Sequence, residues 1–289
     1  MGVILRIRIS NSRLSAGSLL CVRSLRTHIC FCALAVCLPL SASAAVPAKI
    51  PAVVPPLPNA PQPQAQTVTL RSVPGDILRD QAVIWTSPAR IRMHDFLWLA
   101  PLGAATGAAI ATDRRTMRDV VSHDQNFNNA TIDTSNALVG GLIAAPVAMY
   151  SYGYFEHHPH AQEAGILSGE AMVDGVIVEQ GMKLIFWRER PTPVDDYRGH
   201  FFQSSAGLDS SFPSNHCVIA WSGAAAIAGE YPSRWVQLAA YSAASGISIT
   251  RVLGEEHFPS DALAGSAAGW LIGHYVSHRH RHWHLPAAH

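Results

Sequence analysis

The chain has almost no cysteine outside its N-terminal region. Only Cys217 of its five cysteines lies beyond Cys37, so the body can form neither an internal disulfide nor a zinc site built on cysteine. Charged residues make up only 14% of the chain and the net charge is +1. No acidic residue precedes Asp76, whereas five arginines lie in the first 28 residues: Arg6, Arg8, Arg13, Arg23 and Arg26. The rest is therefore mildly acidic, which argues against binding to nucleic acid.

The sequence also lacks a convincing alternating pattern of the kind that predicts β-strands. From about residue 95 onward, Ala- and Gly-rich apolar segments alternate with polar loops, which predicts an all-α fold. We expect a compact helical bundle with about six core helices. They are predicted over about 95–112, 134–155, 163–188, 215–230, 234–252 and 261–278. At 48% hydrophobic residues, the chain can bury a core, which excludes disorder throughout.

The N-terminal region has the pattern of an export signal. Basic residues are followed by an uncharged apolar stretch and by small residues at Ala42 and Ala44, which predicts a signal peptide over 1–44 and an exported, periplasmic or extracellular protein. An uncleaved anchor is the alternative, although the apolar stretch is shorter than the roughly 20 residues that a spanning helix needs.

Proline and histidine dominate the segments on either side of the body. Residues 47–65 carry seven prolines, so we predict an extended tether over 45–80. The helical domain then covers 81–280. Residues 281–289 form a His-rich tail that could bind metals adventitiously, and we predict no functional metal site.

The relation of the helices to a membrane is open at this level. The stretch from Thr134 to Phe155 is uncharged and long enough to span a bilayer. The next predicted helix contains Glu170, Asp174 and Glu179, which would be costly facing lipid. We therefore expect a compact exported bundle, with an integral membrane protein as the alternative and peripheral membrane contact left open.

The first of three motifs is "KLIFWRERP". Lys183 and Arg190 are seven residues apart, or two helical turns, so both could lie on one helix face and bind an oxyanion. Pro191 is expected to end the helix. The alternative is structural, with Lys183 paired to Glu179 four residues earlier and Arg190 paired to a nearby acid.

The second motif is "FPSNHCVIAW". Ser214 or Asn215 can cap the helix that follows, so free backbone N–H groups would face an anion in front of it. His216 then lies in the first turn, where it could donate a proton. A surface or capping histidine is the alternative interpretation.

The third motif is "TRVLGEEHFPSDALAG". Arg251 ends one helix, His257 lies in the connecting loop, and Asp261 opens the next helix, close enough to accept a hydrogen bond from the His257 ring. A carboxylate in this position fixes the imidazole tautomer and leaves the other nitrogen free to attack an electrophile. Alternatively, Asp261 only favours the start of its helix and His257 is solvated.

In order, Lys-x6-Arg-Pro, Pro-Ser-x-His and Arg-x5-His-x3-Asp resemble the three-part signature of the type 2 phosphatidic acid phosphatase (PAP2) superfamily. This superfamily also holds bacterial class A acid phosphatases and vanadium haloperoxidases. The resemblance implies that His257 is the nucleophile, forming a phosphohistidine, that Asp261 orients it, and that His216 protonates the leaving oxygen. It assigns the phosphoryl oxygens to five further residues: Lys183, Arg190, Ser214, Asn215 and Arg251.

The implied activity is a metal-independent phosphatase acting on soluble or lipid phosphomonoesters or diphosphates outside the cytoplasm, with no cofactor. Vanadate could bind as a phosphate mimic, and a vanadate-dependent haloperoxidase or a catalytically silent membrane or interaction protein are the alternatives. Because His257 must be neutral and His216 protonated, we expect a bell-shaped pH profile on the acidic side of neutral. Loop 192–212, with Asp195, Asp196, Tyr197, Arg198 and His200, is expected to border the site and decide the substrate.

Two positions depart from the family pattern. Asn215 replaces the usual glycine of Pro-Ser-Gly-His, and Thr250 replaces the serine before Arg251. Asparagine tolerates positive φ better than other non-glycine residues, so the turn should survive. We expect activity to persist with altered substrate preference.

Overall fold

The structure is a computed structural model that describes residues 68–203 and 207–280. The predicted signal peptide, the tether up to residue 67 and the tail 281–289 lie outside the described residues. The described residues form seven α-helices and no strand, which confirms the predicted all-α fold. The helices are α1 (Val73–Thr86), α2 (Phe96–Asp119), α3 (Gln125–Phe155), α4 (Pro159–Phe186), α5 (Asn215–Glu230), α6 (Arg234–Leu253) and α7 (Pro259–His280). Short 3₁₀ turns occur at Ser87–Arg90, Met93–Asp95, Pro193–Asp195 and Gly207–Asp209.

Six helices lie where the sequence predicts them, and α1 is the exception. It begins at Val73, inside the segment 45–80 that was predicted as an extended tether. A proline in the first turn and Asp76 near the N-terminus favour a helix start here. Proline has no N–H to leave unpaired at this position, and a carboxylate interacts favourably with the positive end of the helix dipole. Helix α3 also begins nine residues earlier than predicted, where the Asp124 side chain accepts a hydrogen bond of 2.8 Å from Phe127 N.

Helix α5 is the central helix, packing against α3, α4, α6 and α7. Its closest partner is α7, which turns three glycines toward it. An added Cβ at Gly265, Gly269 or Gly273 would lie 2.2–2.7 Å from a backbone oxygen of α5 or of its N-cap residue. The two helices therefore approach backbone to backbone, which only glycine permits. This contact holds the N-terminal ends of α5 and α7 together.

Helix α4 ends earlier than the sequence predicts. Trp187 adopts a left-handed conformation (φ 39°), and its N–H donates to Lys183 O at 3.0 Å, so the helix stops at Phe186 and not at Pro191. Arg190 consequently lies in the loop beyond the helix. The expectation that Lys183 and Arg190 share one helix face is wrong.

Helix α3 has an apolar outer surface. It is the one helix among the described residues whose length and mean hydropathy (1.3) would suit a membrane span, and only 22% of that apolar window is buried. Ile143 and Val147 are among its exposed side chains. Because a core helix would be largely covered, this face is available to an apolar environment.

Candidate active site

His257 lies two residues before α7 and is buried. Its Nδ1 lies 2.9 Å from Ser211 O. Since a carbonyl only accepts, Nδ1 carries the proton, and Nε2 makes no hydrogen bond with any described residue. Burial lowers the pKa of His257. The ring is therefore neutral, with the lone pair of Nε2 available to an electrophile.

Asp261 supports His257 less directly than the sequence predicts. Its Oδ2 lies 3.9 Å from His257 Nδ1, which is beyond hydrogen-bond distance. The same oxygen accepts hydrogen bonds from Ser211 Oγ at 2.5 Å and from Phe258 N at 2.9 Å. Ser211 Oγ is also 3.3 Å from His257 Nδ1. Ser211 therefore links the carboxylate to the imidazole, and Asp261 acts mainly by fixing the loop around it.

Arg188 is a buried cation beside this pair. Its Nη1 donates to Asp261 Oδ1 at 2.5 Å and to Ser260 Oγ at 2.7 Å, and its Nη2 donates to Asp113 Oδ2 at 2.8 Å. The rings of two phenylalanines lie near the guanidinium, with centroid distances of 4.5 Å for Phe201 and 4.0 Å for Phe258. Arg188 thus connects α2, the loop after α4 and α7 behind the nucleophile.

The three predicted phosphate-binding cations are all paired with carboxylates. Lys183 Nζ lies 2.9 Å from Glu179 Oε1. Arg190 contacts Asp209 and Glu256, and Arg251 Nη2 donates to Glu256 Oε2 at 3.0 Å. The pairs proposed as the structural alternative to the first motif are therefore present.

The same cations nevertheless converge on His216, in the first turn of α5. Its pKa is lowered to about 4, first by burial and then by neighbouring positive charge that includes Arg251, Arg190 and Lys183. The structure therefore brings the residues of all three motifs into one electropositive site. His216 Nε2 lies 3.2 Å from Asn136 Oδ1 of α3.

The start of α5 completes the site. Ser214 is the N-cap residue and is buried, but its hydroxyl makes no capping hydrogen bond. The first N–H bonded back within the helix is that of Val218, to Ser214 O at 3.0 Å. Asn215 has no positive φ, because it is already the first helical residue. The expected need for positive φ at this position is therefore wrong, and asparagine replaces glycine here without backbone strain.

Loop 192–212, which is expected to decide the substrate, is itself held in place by contacts with other parts of the fold. Asp196 forms an ion pair with Arg114 of α2. Tyr197 is buried, and its hydroxyl donates to Glu255 Oε1 at 2.8 Å. Burial, and then hydrogen bonding to Glu255, raise the pKa of Tyr197 to about 12, so the hydroxyl stays protonated. These two residues hold the loop against α2 and the third motif.

Sequence reasoning missed Arg188, Asp113, Ser211 and Asn136. Arg188 lies inside the first motif, and a second arginine two residues before Arg190 was a visible signal. Asp113 lies in the run "ATDRRTMRD", which has the pattern of a solvated helix face. Nothing in the local sequence marks Ser211 or Asn136.

A neutral histidine and a second histidine lie among cationic side chains at the joined ends of two helices, an arrangement that is chemically suited to an oxyanion. Residues 163–284 match the family model described as PAP2 superfamily. This match contains all three motifs, and it agrees with the resemblance that the sequence shows.

The chain is also similar to two known proteins. The chain is 39% identical over 66 residues to a lipid A 1-phosphatase of Porphyromonas gingivalis, which is 22% of this chain and 15% of that protein. The chain thus matches only a small part of the length of this relative. A crystal structure of a transmembrane PAP2 type phosphatidylglycerolphosphate phosphatase from Bacillus subtilis matches with a TM-score of 0.40 and 16% identity. That match covers 72% of this chain and 94% of the other.

Proposed function

We propose that the chain is a phosphohydrolase that cleaves lipid phosphate esters through a covalent phosphohistidine on His257, without a metal ion. The observation that carries the proposal is the buried, neutral His257, whose Nδ1 is bound to Ser211 O and whose Nε2 is free. A neutral imidazole beside converging cations suits attack on an anionic phosphoryl group.

The reaction has two steps. His257 Nε2 attacks phosphorus as the bond from phosphorus to the leaving oxygen breaks, and His216 gives that oxygen a proton. A water molecule, losing its proton to His216, then attacks phosphorus, the P–N bond breaks and inorganic phosphate leaves. Lys183, Arg190 and Arg251 stabilise the phosphoryl charge, which is the part that magnesium plays in many phosphoryl-transfer sites.

The low pKa of His216 fits this cycle only when substrate is bound. In the empty site the surrounding positive charge keeps His216 neutral above about pH 4. A bound phosphoryl group brings negative charge, which opposes those cations and raises the pKa. His216 therefore takes up its proton together with substrate.

A lipid substrate is supported by the apolar surface. Exposed large apolar side chains occur along α2, α3 and α6, and also at Ile185 and Phe202. The Phe202 ring lies 6.5 Å from that of Phe186 at the end of α4. The matched relative is a lipid A 1-phosphatase. We propose that α3 contacts the bilayer and that the site acts on lipid phosphates at its surface, outside the cytoplasm.

The test is phosphate release by the purified full-length chain in detergent micelles with EDTA present. Phosphatidate and a soluble aryl phosphate are compared, using the wild type, His257→Ala and the exposed control His94→Ala. We expect turnover of the lipid, a loss of at least about 1,000-fold in His257→Ala and little change in His94→Ala. Equal turnover in wild type and His257→Ala would overturn the mechanism, and preference for the aryl ester would overturn the substrate class.

A further inference from the structure

Glu256 occupies the space between two cations of the site. It directly precedes His257 in the loop between α6 and α7. Its Oε2 accepts hydrogen bonds from Arg190 Nη1 at 2.9 Å and from Arg251 Nη2 at 3.0 Å. One carboxylate oxygen thus joins the two guanidinium groups that are proposed to hold the phosphoryl oxygens.

The Glu256 carboxylate does not satisfy every hydrogen-bond donor of the two arginines. Arg251 is buried, and its Nε has no hydrogen-bond partner among the described residues. A buried donor without an acceptor is unfavourable. A phosphoryl group offers three acceptor oxygens where Glu256 offers one at this point, so a larger oxyanion suits the same donors better.

Glu256 also differs from Glu179, the carboxylate paired with Lys183. Glu179 is fully buried against Lys183 and has no path to solvent without opening the core. The Glu256 side chain is 32% exposed and can turn outward by rotation of its own bonds. Glu179 is therefore a permanent partner, whereas Glu256 is a displaceable one.

We propose that Glu256 is an internal anion that occupies the oxyanion position of the empty site and that an incoming phosphoryl group displaces. The inference rests on the proposed function for the identity of that anion. Two negative groups cannot share the same donors without repulsion. Glu256 therefore weakens binding of every phosphate oxyanion, including the product, and returns to Arg190 and Arg251 as inorganic phosphate leaves.

The test is the dissociation constant of inorganic phosphate, measured by titration calorimetry on the purified full-length chain. Glu256→Gln keeps the size of the side chain and removes its charge. The matched control is Glu189→Gln, which neutralises an acid next to Arg190 that forms no ion pair with a described residue. We expect Glu256→Gln to bind phosphate about five- to tenfold more tightly, and Glu189→Gln to stay within about twofold of the wild type.

Glu256→Ala provides a second neutral variant, and product inhibition provides a second readout. Both neutral variants should show a lower inhibition constant for phosphate and a lower KM, which lost packing alone would not produce. Unchanged or weaker phosphate binding in both variants overturns the inference, whatever their turnover. Tighter binding in both, in a chain that hydrolyses no phosphate ester, would leave the inference standing and overturn the proposed function instead.

Discussion

Two groups of buried charged side chains connect α7 to the rest of the fold, and they satisfy their charges differently. The first, which we call the arginine cluster, consists of Arg188, Asp113, Ser260 and Asp261 behind the nucleophile. Each of its charged groups has hydrogen-bond partners, at 2.5–2.8 Å from the guanidinium. Burial raises the pKa of Asp113, but the bonds from Ser260 and Arg188 oppose this rise.

The second, which we call the acidic cluster, consists of Asp80 of α1 and Glu170 and Asp174 of α4. All three are buried, and four of their oxygens have no hydrogen-bond partner among the described residues. Their ligand atoms lie within 4.8 Å of one another, as in a metal site, but the guanidinium of Arg279 enters the group and pairs with Asp80. Burial raises the pKa of Glu170 to about 8 and that of Asp174 to about 6.

The two clusters differ in whether they hold one geometry or change their protonation. A buried ion pair whose lone pairs and protons are all used holds one geometry. A group of carboxylates with too few donors changes protonation near neutrality, as the raised pKa values of Glu170 and Asp174 indicate. The fold thus places its fully hydrogen-bonded charges beside the reacting histidine and its titrating charges at the helix α1 contact.

Arg188→Met tests the arginine cluster most severely. It leaves Asp113 and Asp261 buried without their cation, and we expect a loss of about 3–5 kcal/mol in the free energy of unfolding. Thermal unfolding followed by circular dichroism measures this, with the exposed Arg198→Met as the matched control. Equal stability of the two variants would show that the cluster does not hold α2 and α7 together.

Asp261→Asn tests the same cluster through catalysis. It removes the charge that Ser211 connects to His257, and we expect kcat to fall about 100-fold. Steady-state phosphate release, compared with the exposed Asp119→Asn, is the measurement. A kcat within about threefold of the control would mean that the Ser211 carbonyl alone positions the ring.

The positive charge around His216 differs from the negative charge of the acidic cluster in how it is compensated. Protonation of the carboxylates neutralises the acidic cluster, whereas bound substrate should compensate the charge around His216. We expect inorganic phosphate to raise the pKa of His216 from about 4 to near its ordinary value of 6.5. An NMR titration of the His216 ring with and without phosphate measures this, and His216→Asn assigns the signal. A pKa that phosphate leaves unchanged would place the anion elsewhere.

Glu170→Gln tests the acidic cluster. The pKa of Glu170 is raised in the folded state, so the stability it contributes is complete below about pH 4.5 and is lost as the pH rises through about 8. The amide removes this loss, so we expect the variant to gain about 1–2 kcal/mol over wild type at pH 8 and nothing at pH 4. Unfolding at both pH values, with exposed Glu156→Gln as control, is the measurement, and a gain of equal size at pH 4 would contradict the assignment.

Ser211→Ala should give the smallest effect. It removes the hydroxyl between Asp261 and His257 but keeps the backbone carbonyl that accepts from Nδ1, so we expect kcat to fall about fivefold. Ser233→Ala, an exposed serine whose side chain makes no capping hydrogen bond, is the control for kinetic comparison. A fall as large as that of Asp261→Asn would mean that the hydroxyl, and not the carbonyl, holds the ring.

Much of the site could be predicted because its residues lie at fixed spacings within short segments. His257 and His216 come together because α5 and α7 meet at their N-terminal ends, and the resemblance carried by the three motifs implied that they share one site. The helices were recognisable from apolar segments between polar loops. Helix α1 was missed because the prolines before it dominate the composition, although Pro74 and Asp76 form a regular start signal.

The remaining parts depend on contacts between distant segments. Asp113 is more than 70 residues from Arg188 in sequence, so no local spacing predicts their pairing. The left-handed Trp187 changes the direction of the chain before Arg190, which helical periodicity could not anticipate. Ser211 acts on His257 through its backbone oxygen, a group that is the same in every residue type.

The glycine contact between α5 and α7 has a consequence for how this protein can be redesigned. Because Gly265 lies against Ser214 O, main-chain radii and not a side-chain rotamer set the separation between the helix that carries His216 and the helix that follows His257. Substitutions on the outward faces of α6 and α7 can therefore reshape the surroundings of the site while the spacing of its two histidines is preserved. A single methyl group at position 265 would alter that spacing.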